Sequence, residues 1–485
     1  MNFRYVLKLL GLMIAFIAAA MLFPMLWSLA VGENEMVRIF LLSMTAGAAL
    51  GGTMYAIGRK SDQEFYRREG LAVVSLAWII GAAIGAIPFW LCPEFREQGN
   101  LAAAYFEAMS GLTTTGATML SDIEALPEGL LFWRSFTQWL GGMGIVVLFV
   151  AFLPALGVEA KHLYKVEVTG IKKEGATPRI REAASLLWKI YLGMTVMVAI
   201  LFMIGGMSLF DALTHTFTTL ATGGFSSKNA STAHFSSLYL EMVKILCIIM
   251  AGTNFALYIS ILRGRPRDLV RDTEFRTYLA IIAAMTFLVM LSLVLYDQFP
   301  VGTALRDSSF QVVSIMTTTG YTTADFNAWN QFARLSLLAL MFVGGCAGST
   351  SGSMKVVRLV VIFKMMVREI QKFFFPKMVK QVKLGGKTMP EDTLRQTAGF
   401  VLLFIGIWAA GSLFMATMCP DLETAAGASI AALGNIGPGL GMVGAAENYG
   451  WLPAQGKIFL AILMVIGRLE LFTVLALLVP AFWKE

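Results

Sequence analysis

Long apolar runs separated by short polar clusters set the pattern of this chain. Ten runs approach or exceed the ~20 residues that cross a bilayer core at ~1.5 Å per residue: roughly 8–30, 38–57, 71–91, 132–155, 184–208, 238–262, 278–296, 332–366, 397–418 and 456–482. Between some of them lie apolar stretches too short to span, Leu101–Leu112, Asp211–Leu220, Asp307–Met316 and Thr424–Leu433. Each short stretch runs into a related phrase: Thr113-Thr114-Thr115-Gly116, Ala221-Thr222-Gly223-Gly224, Thr317-Thr318-Thr319-Gly320 and the degenerate Gly434-Asn435-Ile436-Gly437.

The closing glycines stand 108, 96 and 117 residues apart, which marks a fourfold internal repeat. Each unit reads as outward span, short re-entrant helix, loop and inward span. The expected fold is an all-α integral membrane protein with an N-terminal two-helix hairpin, 1–60, and four repeats. Their boundaries are 61–157, 158–263, 264–390 (with a broken inner helix and a cytoplasmic extension) and 391–485. An even number of crossings per unit makes the units parallel, related by an axis along the membrane normal; inverted-repeat transporters have the other symmetry. Asp211, Asp307 and Thr424 each precede their closing Gly by 13 residues and are expected to cap the short helices, whereas Ala103 breaks that pattern in the first unit.

Non-helical backbone at membrane depth is tolerated where it is buried in protein or lines a watery cavity. Four such loops around one axis would present carbonyls and Thr hydroxyls to a dehydrated cation. Gly116, Gly224, Gly320 and Gly437 supply conformations that a Cβ would penalise. Tight packing of small residues between membrane helices explains one such phrase equally well, but four in phase point to an ion pore.

Composition agrees: 57% of residues are hydrophobic and 14% charged, against about a quarter charged in soluble domains. Residues 1–30 read as a transmembrane helix, because Pro24-Met25-Leu26-Trp27 offers no small-residue cleavage site. Segments 1–9, 59–69, 158–182, 263–276 and 355–395 hold 27 of the 38 Lys and Arg, and ten crossings put them all on one side. The positive-inside rule makes that side, with both termini, cytoplasmic. Anionic lipid accounts for the net charge of +7 without a nucleic acid. Opposite loops collect acids such as Glu33, Glu94, Asp122 and Asp325, which either raise cation concentration at a mouth or are ordinary solvated residues. Cys92-Pro93-Glu94 and Cys419-Pro420-Asp421 read as repeat kinship more than as a disulfide.

These phrases, over the whole chain, resemble those of the Trk/Ktr/HKT superfamily of bacterial potassium-uptake pore subunits. The extra N-terminal hairpin resembles its TrkH branch more than KtrB. The resemblance implies a single-chain pseudo-fourfold pore like that of potassium channels, potassium as substrate, a homodimer and residence in the bacterial inner membrane. It places the filter at Thr114, Thr115, Gly116, Thr222, Gly223, Gly224, Thr318, Thr319, Gly320, Asn435, Ile436 and Gly437. It also implies a cytosolic TrkA-like nucleotide-binding ring, with NAD or ATP/ADP bound there. This chain shows no nucleotide fingerprint or cofactor site of its own. The fourth phrase departs from the pattern, so the expected symmetry is imperfect and the cation discrimination weaker.

The eighth run is interrupted by Gly344-Gly345-Cys346-Ala347-Gly348-Ser349-Thr350-Ser351-Gly352-Ser353, too flexible and polar for a lipid-facing helix. It is a packing kink or, as the resemblance implies, a gate whose Gly344, Gly345, Gly348 and Gly352 permit rearrangement. Arg468 lies deep in the last run. Glu470 stands two residues away, on a different face, so Arg468 either faces the pore or hydrogen-bonds loop carbonyls. Residues 366–396, with Phe373-Phe374-Phe375 and several lysines, are a lipid-hugging segment or a regulator's dock.

Catalysis has little support. His162, His215 and His234 form no metal or triad motif, and a hydrolase built on Asp211 and Asp307 competes with the capping role. The nearer rival is a secondary symporter coupling cation entry to protons or sodium. Intramembrane carboxylates are scarce, Glu470 being the main one, which favours a channel-like route.

Overall fold

The structure, a computed structural model, describes residues 2–60, 67–142, 144 and 179–483. The boundary at 157/158, His162, most of the 158–182 basic segment and the end of the 132–155 run lie outside the described residues.

Helices Phe3–Ala20 and Leu22–Val31 pack antiparallel to Asn34–Gly58. Gly11 and Gly51 make that approach possible: a Cβ on either would stand 2.5–2.6 Å from the other's carbonyl oxygen. Without a hydrophobic force between helices in lipid, such small-residue contacts let backbones pack by dispersion.

Four helix–loop–helix units follow. Their outer helices are Arg67–Gly85 extended by Ile87–Leu91, then Arg179–Ile204, Thr273–Tyr296 and Glu391–Met415. Short pore helices run over Leu101–Leu112, Leu209–Leu220, Val301–Met316 and Leu422–Gly434. At ~1.5 Å per residue none crosses a ~30 Å core.

Three of the four caps lie one turn earlier than the sequence suggests. Asn100, Ser208 and Asp421 accept from the backbone N–H of Ala103, Asp211 and Thr424 at 3.0, 3.1 and 2.7 Å. Asp211 and Thr424 are therefore third residues of their helices. Ala103 is no exception, and the third unit is the irregular one: its helix begins after Pro300 and holds Asp307 inside it.

The inner helices differ more than expected. Glu128–Gly142 is unbroken as far as it is described. The second is split into Leu238–Ala251 and Phe255–Leu262, bent by 92°, and the fourth into Ala454–Arg468 and Phe472–Leu478, bent by 119°. The sequence reading had both as continuous spans. In the third, Gln331–Met341 gives way to an extended loop before Val356–Phe374 resumes, as the Gly-rich run predicts. Beyond it a two-strand hairpin, Lys383–Leu384 with Lys387–Thr388, packs Val382 and Met389 against Val361 and Leu394. Cys92, Cys247, Cys346 and Cys419 are free thiols.

Candidate ion-conduction site

All four pore helices deliver their C-terminal ends to one place, where the four phrases adopt the same backbone. The residue two before each closing glycine is left-handed: Thr114 (φ 55°), Thr222 (50°), Thr318 (57°) and Asn435 (54°). The closing glycines are left-handed too, with φ of 80°, 74°, 80° and 101° at Gly116, Gly224, Gly320 and Gly437. A β-branched residue at φ > 0 is an outlier that costs about 1–3 kcal/mol. Asn tolerates that region, so Asn435 changes the side chain and keeps the conformation.

The loops close into a ring in chain order. A Cβ on Gly116 would collide with the carbonyl of Gly223, one on Gly224 with that of Thr319, and one on Gly320 with that of Ile436. The circuit is completed by Gly437, whose Cβ would stand 2.8 Å from the Thr115 carbonyl oxygen. Four carbonyl-bearing residues, Thr115, Gly223, Thr319 and Ile436, thus abut the four glycines around an axis. A cavity lined by all four closing glycines lies on that axis, flanked by Lys228, Asn229 and Glu447.

Opposite corners of the ring are built alike. In the first unit Thr113 and Thr115 share a hydroxyl–hydroxyl bond of 2.8 Å while Thr113 Oγ1 also reaches the Met109 carbonyl; in the third, Thr317 and Thr319 do the same at 2.7 Å, with Val313. The second and fourth units have Ala221 and Gly434 instead and rely on amides. Gln138, buried on the first inner helix, donates from Nε2 to the Gly223 carbonyl at 2.6 Å and accepts from Phe225 N at 3.2 Å. Asn435 Nδ2 donates to Thr115 Oγ1 at 3.0 Å and to the Met464 carbonyl at 2.9 Å.

A second tier holds the chain after each closing glycine. The residue nine before that glycine does this in three units. Glu107 accepts from Thr118 Oγ1 and Met119 N, His215 Nε2 pairs with Ser226 Oγ at 3.0 Å, and Gln311 Nε2 donates to the Ala324 carbonyl. Ala428 occupies that place in the fourth unit, where Tyr449 donates to the Gly437 carbonyl at 2.8 Å. Buried Glu107 also pairs with buried Arg134 at 2.6 Å, and Arg134 reaches the Ser226 carbonyl and covers the Phe225 ring. Tyr321 bonds Thr218 and Thr219, with Lys244 Nζ 4.5 Å from its ring centroid. Sequence reading found none of these braces; of them it singled out only His215, as a residue without a catalytic motif. Their partners stand far apart in sequence, and single polar residues on apolar helices were the one available signal.

The Gly-rich loop lies directly against the ring. Gly352 N donates to Thr318 Oγ1 at 2.6 Å, Thr222 Oγ1 lies 3.2 Å from Thr350 Oγ1, and Gly352 abuts the Gly434 carbonyl. The loop fills the break in the second inner helix: Cys346 N donates to the Gly252 carbonyl and Phe255 N to that of Gly348, at 2.9 and 3.0 Å. Gly348 is left-handed, at φ 74°. Gly344 packs against the Gly352 carbonyl, and Gly345 accepts from Val356 N at 3.1 Å. Backbone groups freed by each break thus satisfy one another, as a low-dielectric setting requires.

Arg468, at the end of Ala454–Arg468, donates to the Thr350 carbonyl at 2.8 Å and to the Gly141 and Gly142 carbonyls at 2.6 and 3.1 Å. It joins loop, fourth and first inner helices. Two residues on, left-handed Glu470 turns to pair with Arg358, so the two neighbours point apart as their spacing suggests.

The TrkH family, described as a cation transport protein, matches residues 37–484. The Trk system potassium uptake protein TrkH of Salmonella typhimurium is 38% identical over 494 residues, all of both chains, and that of Escherichia coli K12 is 38% identical over 492, again with full coverage. The Trk system potassium uptake protein TrkI of Halomonas elongata is 33% identical, with 99% of this chain and 97% of that one covered. The crystal structure of the potassium transporter TrkH from Vibrio parahaemolyticus superposes with a TM-score of 0.89 at 34% identity, covering both chains fully. A pseudo-fourfold ring of loops, a broken inner helix and full-length kinship lead to one conclusion: the chain belongs to the TrkH family of cation transport proteins.

Proposed function

We propose that the chain takes up potassium across the bacterial inner membrane through a gated, channel-like pore. The observation that carries this reading is the closed ring of four loops. In it the oxygens of Thr114, Thr115, Gly116, Thr222, Gly223, Gly224, Thr318, Thr319, Gly320, Asn435, Ile436 and Gly437 replace the hydration shell of the ion. The pore helices direct their partly negative C-terminal ends toward it. Potassium comes from the names of the relatives. The membrane potential supplies about 2.3 kcal/mol per charge per 100 mV, so a coupling ion is not required.

The gate in this reading is the loop at Gly344, Gly345, Gly348 and Gly352, pinned across the path by Arg468. The side carrying the basic loops is cytoplasmic, with both termini. The chain works as a homodimer with a cytosolic ring that binds the regulatory nucleotide. The exposed Phe373–Phe375 and Lys377–Lys380 region beyond Val356–Phe374 is its docking surface, and lies at the end of the helix that leaves the gate.

Recording from purified protein in bilayers with unequal potassium and sodium on the two sides tests the function. The reversal potential should follow the potassium gradient, with sodium moving it only between the two Nernst potentials; a value that shifts with pH at fixed cations, or lies outside that interval, would establish a symporter instead. Arg468→Ala should raise basal flux about tenfold, as loss of charge-assisted bonds to carbonyls implies. Unchanged flux in the folded variant removes Arg468 from the gate.

A further inference from the structure

The Gly-rich loop has a fastening that neither Arg468 nor its own glycines provide. Glu274 stands in the first turn of Thr273–Tyr296, the outer helix of the third unit, and is 8% exposed. A single carboxylate oxygen, Oε1, accepts from Ala347 N at 2.7 Å and from Val357 N at 3.0 Å. Those two donors sit on opposite arms of the loop, ten positions apart. Ala347 lies where the loop enters the break of the second inner helix, and Val357 is the second residue of Val356–Phe374.

Each bond answers a specific need. The first amides of a helix have no intrahelical acceptor, and Lys355, at the cap position of Val356–Phe374, makes no side-chain cap bond. The carboxylate supplies the missing acceptor and a negative charge where the helix dipole is positive. Its second bond holds Ala347, next to Cys346 and the Gly252 contact. Moving either arm away from the ring requires breaking a charge-assisted bond inside protein, where these are strong.

We infer that Glu274 is a positioning residue for the gate, a latch that ties both arms of the loop to the outer helix and holds the pathway shut. The inference rests on the reading of the loop as the gate. Opening then requires the carboxylate to release Ala347, Val357 or both. A pull on Val356–Phe374 acts first on the Val357 bond, because that bond sits at the base of the helix.

The test compares rubidium flux in liposomes without any cytosolic partner for the full chain, Glu274→Ala, Glu274→Gln and a deletion of residues 346–351. Glu274→Ala should raise basal flux by roughly tenfold, and Glu274→Gln, which keeps a neutral acceptor, by less. The rubidium-to-sodium ratio should stay unchanged, because the ring is untouched. A folded Glu274→Ala protein with parental or lower flux overturns the latch while the deletion still conducts more. If the deletion also fails to raise flux, the gate reading falls and the latch with it.

Should Glu274→Ala not fold, Glu274→Gln is read by labelling of Cys346, which is 1% exposed, in a background where Cys92, Cys247 and Cys419 are serine. Faster maleimide labelling than in the parent supports release of the loop. An unchanged rate overturns the latch.

Discussion

The first and third corners of the ring carry a hydroxyl lock of their own, whereas the second and fourth have none and are held from outside. Thr113–Thr115 and Thr317–Thr319 lock themselves through hydroxyls two residues apart. Gly223 and the Asn435 corner instead depend on Gln138, Met464 and Tyr449, which belong to inner helices or to the chain after the ring. The same left-handed backbone is therefore reached by two chemistries, alternating around the axis. Fourfold geometry survives because conformation is what a ring of carbonyls needs; the side chains that enforce it are free to differ.

The closing glycines break the comparison hardest. Gly116→Ala, Gly224→Ala and Gly320→Ala each push a Cβ into a neighbouring carbonyl at positive φ and should cut rubidium uptake by roughly a hundredfold, an overpacking cost of about 3 kcal/mol. Gly437→Ala meets its neighbour at 2.8 Å and should retain more flux than the others. Equal loss at all four would mean that the fourth corner is as tight as the rest.

Gln138→Leu comes next. Removing the donor to the Gly223 carbonyl frees one ring oxygen, and the potassium-to-sodium permeability ratio should fall about tenfold, in line with 1–2 kcal/mol for a buried bond. A parental ratio from bi-ionic recordings would show that Gln138 only fills space. A sharper version is the triple Ala221→Thr, Gly223→Thr and Gln138→Ala, since a Cβ on Gly223 would otherwise run into the Gln138 side chain. That triple should restore part of the ratio by giving the second corner the paired hydroxyls of the first.

Thr113→Val and Thr317→Val should have the smallest effects and, above all, equal ones. Each loses a buried hydroxyl that bonds both its partner threonine and a helix carbonyl, about 1 kcal/mol per bond and a drop of about 4–8 °C in Tm by thermal unfolding in detergent. Clearly unequal drops would end the equivalence of the opposite corners.

Much of this architecture is legible in the chain, and the illegible part has a physical cause. The short helices and the ring phrases announce themselves by length and phase, because a stretch of ten to thirteen apolar residues cannot span and a glycine at positive φ is hard to replace. Gly344–Ser353 declares its break by composition. The breaks at Gly252-Thr253-Asn254 and Leu469-Glu470-Leu471 are subtler. Asn254 caps the segment that follows, accepting from Ala256 N at 2.9 Å, and that Gly-to-Asn step was the available signal. The break at Gly252-Thr253-Asn254 is filled by the loop nearly a hundred positions away, which hydropathy cannot register. The caps were misplaced by one turn because Asp211 and Thr424 are good capping residue types in their own right, while the true caps stand just outside the apolar stretch. Gln138 and Glu274 read as stray polar residues until their partners, 85 and 73–83 positions distant, are brought beside them.

The ring closes between its first and last members, with Gly437 against Thr115 and Asn435 bonded to a hydroxyl 320 positions earlier. During synthesis, then, three-quarters of the circuit waits in the membrane with an open side until the last unit has emerged from the ribosome. A chain that stops short of its fourth unit lacks both contacts and leaves the ring open.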